Sequence, residues 1–380
     1  MARPEIVTFR TDASMQIGSG HVMRCLTLAD VLRARGAQCH FICRAHPGHL
    51  LELIHQRGYK VNSLEAPAQQ AQSAIKIDIT ESLQHNQTPA HAAWLGCDWQ
   101  TDAALTAAIL ARLQPDWLVV DHYALDQRWE EAVAPYCKKL MVIDDLADRP
   151  HCCDLLLDQN LGRQQQDYVG LLPTHCQVLT GPHYALLRPE FAALRPYSLQ
   201  RRQAQPALRQ LLITMGGVDQ PNATGQLLQG LKTCALPSDC RITVVMGLTA
   251  PWLGNVQQLA AQMPWPTDVV VNVNDMAQRM ADSDLAIGAA GSTSWERCCL
   301  GLPTLMVVLA ANQQPGAQAM AAAHAARLIG AVSDIASQLP LAVAEMIESE
   351  RQSRTSLAAS AVTDGRGVEE VLSAMGGINA

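Results

Sequence analysis

Ile6-Val7-Thr8-Phe9-Arg10 leads, through one short loop, to Gly18-Ser19-Gly20-His21 and then to a helix-compatible run over 22–35. An apolar run, a small-residue turn and a helix in that order read as a strand-to-helix turn. Glycines there permit tight backbone conformations and close approach by a ligand. The start of a helix offers unpaired N–H groups to anions, and a histidine exchanges protons near neutral pH. A ligand cradle and a proton acceptor thus share one loop.

The same grammar repeats outward from that loop. Strands are expected at 5–10, 38–43, 117–120, 140–143 and 155–157, with helices at 22–35, 50–57, 102–113 and 128–137. Continuous apolar strands alternating with helices indicate a parallel sheet covered on both faces. The pattern breaks at the polar, basic, Pro-containing stretch from Leu194 to Gln203, which reads as a linker. It then restarts, with strands at 210–214, 241–246, 269–273, 285–289 and 304–308. Helices are expected at 223–231, 256–262, 276–281, 293–300 and 313–326. The expected organisation is a first domain over 1–194, a linker over 195–207, a second domain over 208–340 and a helical tail over 341–380. The Gln-, Ala- and Ser-rich stretch 67–93 reads as a helical insertion. Two tandem units of this kind suggest a ligand held in an interdomain cleft, at the C-terminal edges of the strands.

Composition narrows the class. The chain has 380 residues, comfortable for two domains, and is 48% hydrophobic and 17% charged, as a protein with substantial cores would be. A net charge of −7 argues against a general nucleic-acid or anionic-membrane binder. No 18-residue apolar span suggests a membrane helix, and no signal peptide of the usual form follows the N-terminus. Twelve cysteines are scattered, often within apolar runs, and read as reduced thiols in a cytoplasmic protein. Cys39, His40, Cys43, His46 and His49 lack the paired spacing of a zinc site, so no metal is expected.

Further chemistry lies at the ends of the expected strands. Met215-Gly216-Gly217-Val218-Asp219 places glycines between a strand and a helix, which can present backbone donors to phosphate; neither a P-loop nor Gly-x-Gly-x-x-Gly is present. Gly288-Ala289-Ala290-Gly291-Ser292-Thr293-Ser294-Trp295-Glu296 does the same with Ser/Thr donors. There Glu296 is placed either to accept hydrogen bonds from sugar hydroxyls or to complete a capping box with Thr293, which local grammar favours. Asn312 offers an amide to a nucleotide or caps the next helix. Asp121-His122-Tyr123 and Asp144-Asp145 end strands, where polar side chains line ligand crevices or cap helices; capping is the expectation for Asp144 and Asp145.

Together these stretches resemble a known family. Arg10-Thr11-Asp12-Ala13-Ser14 with Ile17-Gly18-Ser19-Gly20-His21-Val22-Met23-Arg24-Cys25 resembles the N-terminal signature of the UDP-sugar hydrolases of pseudaminic acid biosynthesis. The resemblance continues through Trp94-Leu95-Gly96, Asp121-His122-Tyr123, Val142-Ile143-Asp144-Asp145-Leu146 and Gly181-Pro182. It extends through the run from Tyr184 to Phe191, then Met215-Gly216-Gly217 and Gly291-Ser292 with Glu296, and so spans about residues 6–330. The opening signature is specific, whereas the glycine turns would also fit the related MurG-like glycosyltransferases. Residues 67–93 and the tail contribute little.

The resemblance implies an α/β protein in the GT-B arrangement, with two Rossmann-like domains, parallel sheets and an interdomain cleft. It implies cofactor-free and metal-independent removal of UDP from UDP-2,4-diacetamido-2,4,6-trideoxy-β-L-altropyranose, with His21 as the base that activates water. By the same resemblance Glu296 meets the ribose, Asn312 the nucleotide, and His122 and Tyr123 the substrate. Gly18, Ser19, Gly20, Gly216, Gly217, Gly291 and Ser292 complete the expected binding set. The alternatives are an inverting GT-B glycosyltransferase with an acceptor hydroxyl in place of water, and a sugar-nucleotide-binding protein without turnover.

Overall fold

The computed structural model describes residues 3–65, 88–204, 207–248 and 250–376. The described residues form two compact units. One runs to Leu157 and includes Gln165–Val178; the other takes in Asp158–Gln164 and continues from Leu179.

In the first unit the strands are β1 (Ile6–Thr11), β2 (Gln38–Arg44), β3 (Lys60–Leu64), β4 (Trp117–Asp121), β5 (Lys139–Ile143), β6 (Leu155–Asp158) and β7 (Gln177–Thr180). Its helices are α1 (Gly20–Ala34), α2 (Leu51–Gln56), α3 (Trp99–Leu113) and α4 (Gln127–Val133). The sheet order is β3-β2-β1-β4-β5-β6-β7, with parallel pairing from β3 through β6. The strand order reverses between β1 and β4, so the loops leaving those two strands diverge to opposite faces and open a crevice. Thr11 stands opposite Asp121 in that pairing, which brings the loop toward His21 beside the end of β4. The polar sequence Lys60-Val61-Asn62-Ser63-Leu64 gave no strand signal, because β3 is an edge strand whose side chains are mostly part-exposed.

In the second unit α5 (Pro189–Ala204) precedes β8 (Gln210–Thr214), α6 (Ala223–Leu231), β9 (Arg241–Met246), α7 (Leu253–Ala260) and β10 (Thr267–Val271). Then come α8 (Met276–Asp282), β11 (Leu285–Ala289), α9 (Thr293–Cys299), β12 (Thr304–Val308), α10 (Gln314–Ala322) and β13 (Arg327–Ala331). Three helices follow: α11 (Ile335–Ile347), α12 (Ser349–Ser360) and α13 (Gly367–Ala374). The sheet is parallel in the order β10-β9-β8-β11-β12-β13 and reverses between β8 and β11. Successive side chains divide between its two faces. Leu211, Ile213, Leu285, Ile287, Leu305 and Val307 join one buried cluster, whereas Leu212, Ala286, Met306 and Val308 join the other. That is why these strands read as unbroken apolar runs.

Two expectations change. The stretch 195–207 is not a linker over its described residues to Ala204: these continue α5. Phe191, Ser198 and Arg202 recur at helical spacing as its buried stripe. The Arg202 guanidinium donates to the carbonyls of Leu300, Ser283 and Met280 at 3.0, 2.6 and 2.9 Å, and burial lowers its pKa to about 9. Arg195 likewise donates to Cys299, Thr363 and Ser360 carbonyls. Basic composition here reflects carbonyl binding inside a fold, not solvation. Accordingly the chain enters the second unit at Asp158 and again at Leu179, not after 194. The tail is helical as expected, and α12 packs against α5 and α9. Of the expected insertion at 67–93, residues up to 87 lie outside the described residues, and Ala92–Leu95 forms a short 3-10 turn.

Replacing Arg202 with leucine should therefore cost about 1–3 kcal/mol, since the Ser283 carbonyl loses a donor while those of Leu300 and Met280 each keep one, from the Ser198 hydroxyl and the Ser283 N–H. A solvated linker arginine would change stability by no more than about 0.5 kcal/mol. Urea denaturation of the full chain distinguishes the two.

Candidate functional site

The loop that carries His21 is held at both ends. Asp12, at the exit of β1, accepts from Arg10 Nη1 at 2.7 Å and from the Arg44 backbone N–H at 2.6 Å. Arg10 and Arg44 in turn pair with Asp102 at 2.8 and 2.7 Å, and Trp129 Nε1 donates to the same carboxylate. Gly18 closes the turn by donating to the Ser14 carbonyl at 2.9 Å, with φ +81°, a conformation that favours glycine. Ser19 precedes α1 without a side-chain cap, and Gly20 and His21 open the helix.

His21 is 7% exposed, and its surroundings are polar. Its Nδ1 lies 2.5 Å from Asp121 Oδ1. Burial alone would raise Asp121, yet Arg24 and His21 hold it well below the usual carboxylate range. An ionised carboxylate only accepts hydrogen bonds, so Nδ1 carries the hydrogen and Nε2 is left as the basic nitrogen. Arg24 grips both Asp121 oxygens at 2.6 and 2.7 Å. An aromatic group surrounds the ring: Tyr123 meets His21 edge-on at 4.6 Å, Trp94 stacks on Tyr123 at 5.7 Å, and His91 touches both.

His122 is engaged within the protein. It is buried, its Nδ1 accepts from the Ala124 N–H at 3.1 Å, and its Nε2 lies 3.2 Å from Asp12 Oδ2. Burial lowers its pKa despite Asp12. His122 thus supports the loop through Asp12. Asp144 caps the following turn as expected, accepting from Leu146 and Ala147 N–H, and also from Arg149 and Tyr168. Asp145 does otherwise: it pairs with Arg24 at 2.8 Å and accepts from the Tyr123 hydroxyl at 2.6 Å. Among the described residues, no group of three or more His, Cys, Asp or Glu is arranged to hold a metal ion.

In the second unit the β8 and β11 exits are neighbours at the other strand-order reversal. Gly216 and Gly217 form the turn after β8. The expected phosphate donors at the start of α6 are already engaged: Asp219 accepts from the Ala223 and Thr224 N–H groups at 2.9 Å each, and Asn222 from that of Gly225 at 3.1 Å. Any anion contact here is left to the glycine turn itself.

The β11 exit differs. Ser292 makes no side-chain cap, and Thr293 does not form the capping box with Glu296. Instead Thr293 Oγ1 accepts from Arg297 Nη1, while Nη2 donates to Ser294 Oγ and the Ala289 carbonyl, at 3.1, 3.1 and 2.8 Å. Gly288 is required above this guanidinium, since a Cβ there would lie 2.4 Å from Arg297 Nη1. Glu296 is thereby free of a capping duty. Burial pushes its pKa up to about 7, against the pull of Arg188, whose Nη2 is 3.8 Å from Oε1, and of Arg297. Asn312 is exposed in a 3-10 turn (Ala311–Gln313) and caps no helix.

The sequence placed Asp121, Asp145 and Tyr123 at strand ends and Arg24 and Trp94 in quoted stretches, but it did not show that they converge on His21. The spacing of His21 and Arg24, one helical turn apart, was the available signal for Arg24. Asp121, at the strand exit beside the histidine loop, needed the β1–β4 pairing to be seen.

With both strand-order reversals carrying the polar residues, the fold belongs to the α/β class of paired Rossmann-like units. It is the GT-B fold of MurG: the chain aligns with MurG of Acinetobacter baumannii over 98% of its own length and 99% of that chain, with a TM-score of 0.69 at 15% identity. The profile of the glycosyltransferase family 28 C-terminal domain matches residues 237–370. The chain is 25% identical over 309 residues to the UDP-2,4-diacetamido-2,4,6-trideoxy-beta-L-altropyranose hydrolase of Campylobacter jejuni, covering 81% of this chain and 93% of that protein. It is 24% identical over 307 residues to an uncharacterized protein of Methanocaldococcus jannaschii, covering 80% of this chain. The match spans only 55% of that relative's length. Among the described residues no helix is long and apolar enough to cross a membrane.

Glu296 makes stability depend on pH with a definite sign. Its folded pKa of about 7 lies above the usual 4.5, so between those values the folded state holds a proton that the unfolded state has lost. Stability therefore falls as pH rises through that window, and the penalty is complete above it. Glu296→Gln removes the titration, and the melting temperature of the variant relative to the parent should be higher at pH 8 than at pH 5. An equal difference at both pH values would contradict the assignment.

Proposed function

We infer that the chain acts on a UDP-sugar, and specifically that it hydrolyses UDP-2,4-diacetamido-2,4,6-trideoxy-β-L-altropyranose, the step implied for pseudaminic acid synthesis. The observation that carries this reading is the 2.5 Å bond from His21 to an ionised Asp121, which leaves Nε2 as a base at the β1–β4 reversal. The likeness to the Campylobacter jejuni hydrolase over most of both chains supports the choice of substrate.

In this reading Nε2 takes a proton from water as the water oxygen attacks the anomeric carbon. The bond from that carbon to the UDP oxygen breaks, and UDP leaves with the electron pair. The charge developing on the imidazole is stabilised by Asp121, while the Nδ1 bond keeps the ring aimed. Gly18, Ser19, Gly20 and Tyr123 are assigned to the sugar and diphosphate in the first unit. Gly216, Gly217, Gly291, Ser292, Glu296 and Asn312 are assigned to the nucleotide in the second. Glu296, titrating near neutral pH, would accept ribose hydroxyls in its ionised form. The reaction calls for no cofactor, and the working locale is assigned to the cytoplasm.

A second reading, an inverting glycosyltransferase, is favoured by the family 28 match and by the MurG fold. It uses the same base on an acceptor hydroxyl.

Incubation with the UDP-sugar in 18O-water, with and without EDTA, separates these readings. Hydrolysis should release UDP without any acceptor, place the label in the sugar, and survive chelation. Label in UDP would mean attack at phosphorus and would overturn the mechanism. His21→Ala should lower kcat by about 100-fold or more, the scale of general-base catalysis, with UDP affinity nearly unchanged in calorimetry. Full turnover in that variant would remove His21 from the chemistry.

A further inference from the structure

His21 belongs to a closed circuit of side chains. Asp121 Oδ1 meets its Nδ1 at 2.5 Å, and Arg24 holds both Asp121 oxygens through Nε and Nη2. The remaining guanidinium nitrogen, Nη1, lies 2.8 Å from Asp145 Oδ2. The Tyr123 hydroxyl donates to that same oxygen at 2.6 Å, and the Tyr123 ring returns to His21 edge-on. The circuit draws on α1, on the end of β4 and on the turn after β5, so it forms only when the sheet is assembled.

Formal charges in this circuit add to a definite sum. Arg24 contributes one positive charge, and Asp121 and Asp145 one negative charge each. Those three groups sum to one negative charge while His21 is neutral, and are balanced when it takes a proton. Two neighbouring groups add no charge. Burial pushes the Tyr123 hydroxyl and the Cys25 thiol up, so both stay protonated. Burial lowers His91 and His122, and each is disfavoured further by charge on His21. Arg24 Nη2 approaches His21 Nδ1 to 3.4 Å, close enough to oppose charging of the ring directly.

We propose that Arg24 and Asp145 are positioning residues that jointly set the proton affinity of His21, Arg24 lowering it and Asp145 raising it, so that the ring both takes and releases a proton in every turnover. With Arg24 and no Asp145 the ring would be a weaker base. The inference rests on His21 acting as the base, and it deepens that assignment by naming what tunes it.

The test is a pH titration of the histidine Cε1–H resonances by NMR in the full chain, with His21 assigned by its loss in His21→Gln. Asp145→Asn should move the His21 midpoint down, and Arg24→Gln should move it up, each by about half a unit or more, as for a nearby charge removed. Arg24→Lys, which keeps the charge without the fork, should stay closer to the parent than Arg24→Gln. In the hydrolase assay the acidic limb of kcat/KM should move in the same opposed directions. A merely structural role would lower activity without opposed shifts, and shifts of the same sign, or none, overturn the proposal. If Arg24→Gln fails to fold by circular dichroism, Asp145→Asn decides alone: a midpoint that does not fall overturns it. Absence of turnover in the parent protein would defeat the hydrolase reading, while the titration would still judge this one.

Discussion

Asp121 carries a negative charge at 0% exposure, and the first unit is built to keep it there. Taking a carboxylate out of water costs several kcal/mol unless it is paired with good geometry. Arg24 supplies two short bonds to it and His21 a third. Those partners come from a helix whose start is fixed by the loop leaving β1. The carboxylate comes from the end of β4, and the two strands are neighbours in the sheet. Removing either element from its place would strand a buried charge. The fold and the orientation of His21 are therefore stabilised by the same contact.

The two units use one topological device with opposite electrostatic results. Each presents its polar residues where the strand order reverses, β1 against β4 and β8 against β11. In the first unit a cation within 2.7 Å keeps Asp121 ionised. In the second, Arg188 stands 3.8 Å from Glu296 and also pairs with Glu190 at 2.8 Å, so burial outweighs attraction and Glu296 titrates near neutrality. Coulomb attraction falls with distance and with division among partners, whereas the desolvation of a buried carboxylate remains. One carboxylate is thus a permanent orienting charge, the other a group that changes protonation in the physiological range.

Legibility in the sequence followed the physics of each signal. The apolar runs at 210–214, 285–289 and 304–308 were readable because both faces of those strands are buried. The turn before His21 was readable because glycine is needed at the positive φ of Gly18. Helix α5 was not, because its arginines bind carbonyls of α8, α9 and α12 far along the chain, and composition alone cannot tell a bound guanidinium from a hydrated one. The capping box at Thr293 was the sound local reading, yet Arg297 captured the hydroxyl from one turn further on. His122 carries the same chemistry as His21, but just past the end of β4 its ring is held by Asp12.

Residue order alone was enough to establish two α/β units, the loop that bears His21 and the glycine turns at the ends of β8 and β11. Such features depend on neighbours within a few residues, through apolar periodicity and backbone freedom. The partners of His21 belong to another scale. Asp121 lies 100 positions away, and Asp145 farther still. Their convergence is set by strand order and register, which arise from the packing of whole elements and leave no mark in any local window.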